Sequence, residues 1–127
     1  MDKRDTLTKL TRALRALHHA LVKIERHAYE KEWGTVDPGE LLQLLTRHPQ
    51  FEWLHVLSEF MVDVDELLDE DELREDDVRR ILAQARSMIS PEPAEATPFS
   101  QRYVAALQED PSLVMAHAAV RQVLDAR

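Results

Sequence analysis

Apolar residues recur at alternating spacings of three and four positions over the first quarter of the chain, which is typical of one face of a helix. This first seam extends over three heptads and consists of Leu7, Leu10, Leu14, Leu17, Leu21, Ile24 and Ala28. It predicts a long helix from about Thr6 to Trp33, ended by Gly34, because glycine adopts the left-handed conformation that closes a helix. So long a helix needs partners along its seam, since helices gain most of their stability from burying an apolar face.

The same spacing returns after residue 50 and predicts a second long seam. Its members are Leu54, Leu57, Met61, Val64 and Leu68. Between the two seams, Asp37 and Pro38 supply an N-cap and a first helical residue for a short leucine-rich helix that ends before Pro49. The first and third helices are therefore expected to lie side by side along their seams.

An acidic run follows the second seam and predicts a break in the helix. Acidic residues destabilise the end of one helix but stabilise the start of the next, because of the helix dipole. Asp69 and Glu72 have the spacing of a capping box, so we expect the fourth helix to begin there and to include Leu73.

A proline-rich segment separates the last two predicted helices from the rest. Thr97 is placed to cap a fifth helix and Asp110 to cap a sixth, each with a proline next to it. The sequence thus predicts an all-α fold in a single domain, 1–127. Residues 1–90 form a main bundle of four helices, 91–98 form a linker, and 99–127 form a C-terminal helical hairpin. The hairpin covers one side of its own bundle or exchanges with a second copy.

Length and composition favour one globular domain in a reducing compartment. A chain of 127 residues is long enough for a single core. The absence of cysteine excludes a disulfide-stapled scaffold and cysteine catalysis. No apolar leader precedes the first helix, and no stretch approaches the roughly 20 apolar residues of a membrane span. We therefore expect a cytoplasmic protein with no membrane partner.

Charge is distributed unevenly along a chain of net charge −8. Residues 1–33 carry eight basic and five acidic side chains, whereas 34–90 carry five basic and fourteen acidic ones. A nucleic acid would have to bind the first helix against an acidic background, with no recognition motif, so this partner is disfavoured. Its candidate contacts would be Lys3, Arg4, Lys9, Arg12 and Arg15. The other interpretation is that the basic helix selects an acidic neighbour, in the same chain or in a second copy.

Histidines beside the two seams suggest a metal site. His55 and Glu59 are one turn apart on the third helix, and His18 and His27 lie next to the first seam. If they converged together with Glu25, they would offer a nitrogen and oxygen site for a divalent transition metal such as zinc, manganese or iron. The competing interpretation is structural, with histidines bonded to neighbouring side chains and the acidic residues in solvent. No cofactor is the leading expectation.

Aromatic residues gather around the short second helix. Tyr29 and Trp33 are one turn apart, and Phe51, Trp53 and Phe60 follow soon after that helix. We expect them to meet, either as a cluster that closes one end of the bundle or as a pocket for a partner. The candidate partner-binding residues are Tyr29, Trp33, Trp53 and Phe60.

No sequence motif assigns a catalytic chemistry. The acidic segment lacks the glycine and ligand spacing of an EF-hand, and the two glycines form no phosphate-binding loop. No serine has the context of a nucleophile elbow. The leading hypothesis is a non-catalytic interaction or regulatory protein that forms a homodimer. Seam surface left uncovered by the bundle, together with the flanks of the first helix, would recognise another protein chain. The alternative is a metal-dependent helical enzyme or metal sensor.

Residues 17–69 contain three stretches that resemble a family of small bacterial helical proteins of unknown function. These are His-His-Ala-Leu-Val-Lys-Ile-Glu-Arg-His-Ala-Tyr-Glu, Gly-Thr-Val-Asp-Pro-Gly-Glu-Leu-Leu and Phe-Glu-Trp-Leu-His-Val-Leu-Ser-Glu. The resemblance implies a bacterial cytoplasmic protein, and it implies no activity or ligand.

Overall fold

The computed structural model describes residues 2–126, and every regular element in that range is helical. The all-α prediction is therefore confirmed. The elements are α1 (Lys3–Trp33), α2 (Pro38–Arg47), a 3-10 helix (Pro49–Leu54), α3 (His55–Leu68), α4 (Glu75–Ile89), α5 (Pro98–Glu109) and α6 (Pro111–Asp125).

Helix α1 has 31 residues and is about 46 Å long. It begins three residues before the predicted start, because the Asp2 carboxylate accepts a hydrogen bond from the Arg4 N–H at 3.2 Å. It ends at Gly34 as predicted, but this residue has φ 93° and ψ 170°. That backbone conformation is extended and has a positive φ, a combination essentially confined to glycine. It differs from the left-handed helical conformation that we expected at this cap.

Helix α1 lies between α3 and α6 and packs against both. The five leucines of its seam, Leu7 to Leu21, are almost completely buried, whereas Ala28 at the end of the seam is exposed. Helices α1 and α3 run antiparallel, since the Arg4 guanidinium donates to the Leu68 carbonyl oxygen at one end. Near the other end, the Trp53 indole, just ahead of α3, donates to Glu25. The predicted pairing of the two seams is thus present.

Local signals set the bounds of α2. The Asp37 carboxylate accepts from the Glu40 N–H at 2.8 Å, and α2 ends at Arg47, ahead of Pro49. No residue of α2 is fully buried. The 3-10 helix that follows was not predicted, although it contributes Phe51, Trp53 and Leu54 to the core.

The chain breaks between α3 and α4, as predicted, but the predicted capping box is wrong. Helix α4 begins at Glu75, and no side chain caps its first turn. The Asp69 N–H instead bonds back to the carbonyl oxygens of Asp65 and Glu66, so Asp69 closes α3. Leu73 consequently lies half-buried in the connecting loop and not on α4.

Residues 90–97 are not helical, and the caps predicted for the last two helices are confirmed. Thr97 and Ser100 form a reciprocal capping box, and the Asp110 carboxylate accepts from the Leu113 N–H. Helices α5 and α6 contact each other, and α6 also packs on α1 and α4. Their buried residues join the same core as the two seams, namely Phe99, Tyr103, Leu113, Val120 and Leu124.

Candidate interaction surface

The predicted metal residues are placed apart from one another. The His55 Nε2 donates to the Leu45 carbonyl oxygen at 2.7 Å, since a carbonyl can only accept. The His18 Nε2 lies 3.1 Å from the Ser58 Oγ, and burial lowers the pKa of His18. His27 and Glu59 are exposed. Within residues 2–126, no three histidine or acidic side chains are placed to hold one metal ion.

Glu25 has a structural environment that sequence reasoning missed. Glu25 is 7% exposed, and its carboxylate accepts hydrogen bonds from the Trp53 indole at 2.9 Å, the Gln50 amide at 3.0 Å and the Arg102 guanidinium at 3.2 Å. The Arg102 guanidinium carbon also lies 6.0 Å from the Trp53 ring centroid. Glu25 therefore joins α1 to the 3-10 helix and to α5, and all of its partners come from elsewhere in the sequence.

The predicted aromatic cluster divides into two. Tyr29 lies 6.5 Å from Trp33 and 6.1 Å from Phe51, measured between ring centroids. Trp53 instead packs 5.6 Å from Phe99 of α5. Trp53 and Phe60 are 9% and 2% exposed, so both belong to the core and neither can line a partner surface. The burial of Trp53 follows from its bond to Glu25 and from the position of α5, which sequence reasoning could not place.

Tyr29 and Trp33 remain accessible at one end of the bundle. Tyr29 is half-buried in the wall of a groove of about 370 Å³, which also includes Val36, Leu44 and His48. Trp33 lies next to Tyr29 and is 67% exposed. The groove is open and mixes apolar walls with charged groups at its rim, so its chemistry does not select one class of ligand.

The outward face of α1 carries a row of exposed basic side chains, which we call the basic stripe. It consists of Arg12, Arg15, His19 and Lys23. The spacings of three and four place these residues on one side of the helix, away from the leucine seam. Within the described part of the chain, none of them forms an ion pair.

The outward face of α3 carries the opposite charge, and we call it the acidic stripe. It consists of Glu59, Asp63 and Glu66, of which Asp63 and Glu66 also line an open groove of about 350 Å³ beside Asp77 and Arg80 of α4. Helix α3 contains four acidic residues and no lysine or arginine. No ion pair to these three carboxylates is found among residues 2–126. Val56 and Val62, also on α3, are 49% and 53% exposed.

A second buried polar pair joins α5 to α6. The Tyr103 hydroxyl lies 2.6 Å from the His117 Nδ1, and the Tyr103 side chain is fully buried. Burial raises the pKa of Tyr103 and, with the nearby Arg121, lowers the pKa of His117. The neutral forms are thus favoured, and the tyrosine hydroxyl and the imidazole share one hydrogen bond. This pair stabilises the hairpin.

The two stripes are the part of this surface whose charged side chains have no ion-pair partner among residues 2–126.

None of the helices in the described range combines the length and apolar composition needed to span a bilayer. Comparison of the chain with protein-family models, curated proteins and solved structures finds no match.

Proposed function

We propose that this chain is a non-catalytic helical interaction protein whose outward α1–α3 face binds another protein chain. The proposal is carried by one observation. The basic stripe and the acidic stripe lie on adjacent packed helices, both are exposed, and neither is paired with other described residues. Complementary charges of this kind give specificity and speed to protein association.

A protein partner fits this face better than a nucleic acid. Phosphate groups would be attracted to the basic stripe but repelled by the acidic stripe beside it and by a net charge of −8. A protein can present both signs of charge in the required order. The chemistry therefore favours a partner with an acidic row next to a basic row.

The buried polar groups of the interior have a structural role. Glu25 bonds to three side chains from other elements, and Tyr103 bonds to His117. Each of these pairs stabilises the packing between elements. In our proposal the interior maintains the shape of the face, and the exposed stripes provide the recognition.

The predicted division of the chain suits this role, and we include it in the proposal. Helices α1 to α4 would form the body that presents the two stripes. The α5–α6 hairpin would keep α1 in place from the opposite flank, through the contact of α6 with α1. Arg86 of α4 donates to the Asp125 carboxylate at 2.8 Å and so connects the body to α6.

Site-specific photo-crosslinking in cells that produce the chain tests the proposal. A photoreactive residue replaces Arg12 on α1 or Glu66 on α3, and Gln108, which is exposed on α5, serves as the control position. We expect defined protein adducts from the first two positions and none from the third. Equal adduct patterns at all three positions, or no adduct at the two stripe positions, would contradict the proposal.

A further inference from the structure

We infer that the partner of the α1–α3 face is a second copy of this chain, arranged so that α1 of each copy packs on α3 of the other. This inference rests on the proposed function and names its partner. Three properties of the face support it: the charge of the two stripes, their order on the surface, and the register between α1 and α3.

The charges select one of two symmetric arrangements. Two copies that meet face to face are related by a two-fold axis lying between them, and such an axis is either parallel or perpendicular to the helices. The perpendicular axis places α1 on α1 and α3 on α3, which opposes like charges. The parallel axis places α1 on α3 twice, so every basic stripe meets an acidic stripe.

The register of the stripes fits the parallel axis. Rotation about an axis parallel to the helices leaves each residue at its original height, so the register between copies equals the register within one copy. Within one copy, His18 is level with Ser58, and Glu25 is level with Trp53. Continuing this antiparallel register from the two contacts, Arg12 comes level with residues 64–66, Arg15 with 61–63, and His19 with 57–59, so each basic residue lies within two positions of an acidic residue.

The face also offers apolar surface between its charges. Val62 is 53% exposed on α3, and Ala16 is exposed on α1 among the members of the basic stripe. The same register makes Ala16 level with residues 60–62, and Val62 is the exposed residue at the end of that range. Interfaces between proteins combine an apolar centre with a polar rim, and this face has both. The dominance of charge predicts an association that weakens with salt.

Another exposed apolar surface lies on α6 and is the alternative site of self-association. Val114 and Met115 are 46% and 74% exposed there. This face carries no charge pattern that would select a partner or an orientation. Substitution of Met115 therefore serves as the control that separates the two surfaces.

Light scattering coupled to size exclusion on the full chain tests the inference. We expect a dimer at about 50 mM salt and a shift toward monomer at about 500 mM salt. The double variant Arg12→Glu with Arg15→Glu, and separately Glu59→Lys with Glu66→Lys, should each weaken self-association by at least about tenfold. Circular dichroism confirms that each variant is folded.

Mixing the two reversed variants gives the decisive result. One variant then has two acidic stripes and the other has two basic stripes, so both contacts of a mixed dimer are attractive. We expect the mixture to form a dimer that neither variant forms alone. Two control variants should keep the dimer. One is Met115→Asp. The other is Arg47→Glu with Arg79→Glu, which changes the net charge by the same amount as the reversal of Arg12 and Arg15.

The inference is overturned if the natural chain is a monomer at low salt, if the reversed variants remain dimeric, or if mixing restores nothing. Loss of the dimer in either control would likewise overturn it, because the α6 surface or net charge would then be responsible. A monomeric chain that still gives protein adducts at Arg12 and Glu66 would retain the proposed function and refute only the second copy as partner.

Discussion

Glu25 connects three elements through one buried carboxylate, so its removal should destabilise the fold more than the loss of its exposed ion-pair partner Arg102. In Glu25→Ala, the Trp53 indole N–H loses its acceptor while the ring stays 9% exposed. An unsatisfied buried donor costs about 1–3 kcal/mol. The hydrogen bond from Gln50 is lost as well and adds about 1 kcal/mol. The Arg102 side chain is 55% exposed, so its ion pair contributes only about 0.2–1 kcal/mol.

Urea unfolding followed by circular dichroism measures the effect. We expect Glu25→Ala to lower the free energy of unfolding by about 3 kcal/mol, and Arg102→Ala to lower it by less than about 1 kcal/mol. Glu25→Gln keeps an acceptor for the indole and should fall between them. If Glu25→Ala is within about 0.5 kcal/mol of the natural chain, or if Arg102→Ala costs as much, our interpretation of this carboxylate is wrong.

Three further predictions concern pH, the end of α1 and the exposed tryptophan. Burial lowers the pKa of His18 and His117 in the folded chain, so the unfolded chain binds more protons below the ordinary histidine pKa of about 6.5. Stability should be complete above that pH and fall as the pH drops through the lowered values, and equal urea midpoints at about pH 5 and about pH 7.5 would refute this. Gly34→Ala should cost about 1–3 kcal/mol because φ is 93°, whereas Gly39→Ala, inside α2, should cost little in the same assay. Trp33→Ala should change the unfolding free energy by less than about 0.5 kcal/mol, because the side chain is 67% exposed; a larger loss would mean that it is packed.

Signals confined to a few consecutive residues predicted the elements well. The caps at Asp37, Thr97 and Asp110 were found because a cap and the N–H groups that it binds lie within one turn. The 3-10 helix was missed because its apolar residues also fit the start of the second seam. The capping box at Asp69 was wrong because α4 begins later, at Glu75, and none of the acidic side chains in that run caps its first turn. Asp69 in fact closes α3, because its backbone N–H bonds to the carbonyl oxygens of Asp65 and Glu66.

Contacts between distant segments were beyond sequence reasoning. Nothing in the residue spacing of α6 indicates that this helix packs along α1. The burial of Trp53 depends on that contact and on the position of α5, whose Phe99 packs against the Trp53 ring. The predicted metal set failed to converge for the same reason, since His18 and His55 bond to groups on other elements. The charge imbalance along the chain was visible in the sequence. Its division into two stripes on neighbouring helices required the packing of α1 against α3.

Disulfide trapping between copies tests the two-fold arrangement most directly, and the absence of native cysteine makes the result unambiguous. Ala16→Cys on α1 and Val62→Cys on α3 are prepared separately, mixed at low salt and oxidised. Our account predicts that the mixed 16–62 disulfide dominates over both homodisulfides and that high salt suppresses it. A statistical mixture of the three species, or an excess of 16–16 and 62–62 disulfides, would contradict the pairing of α1 with α3 of a second copy.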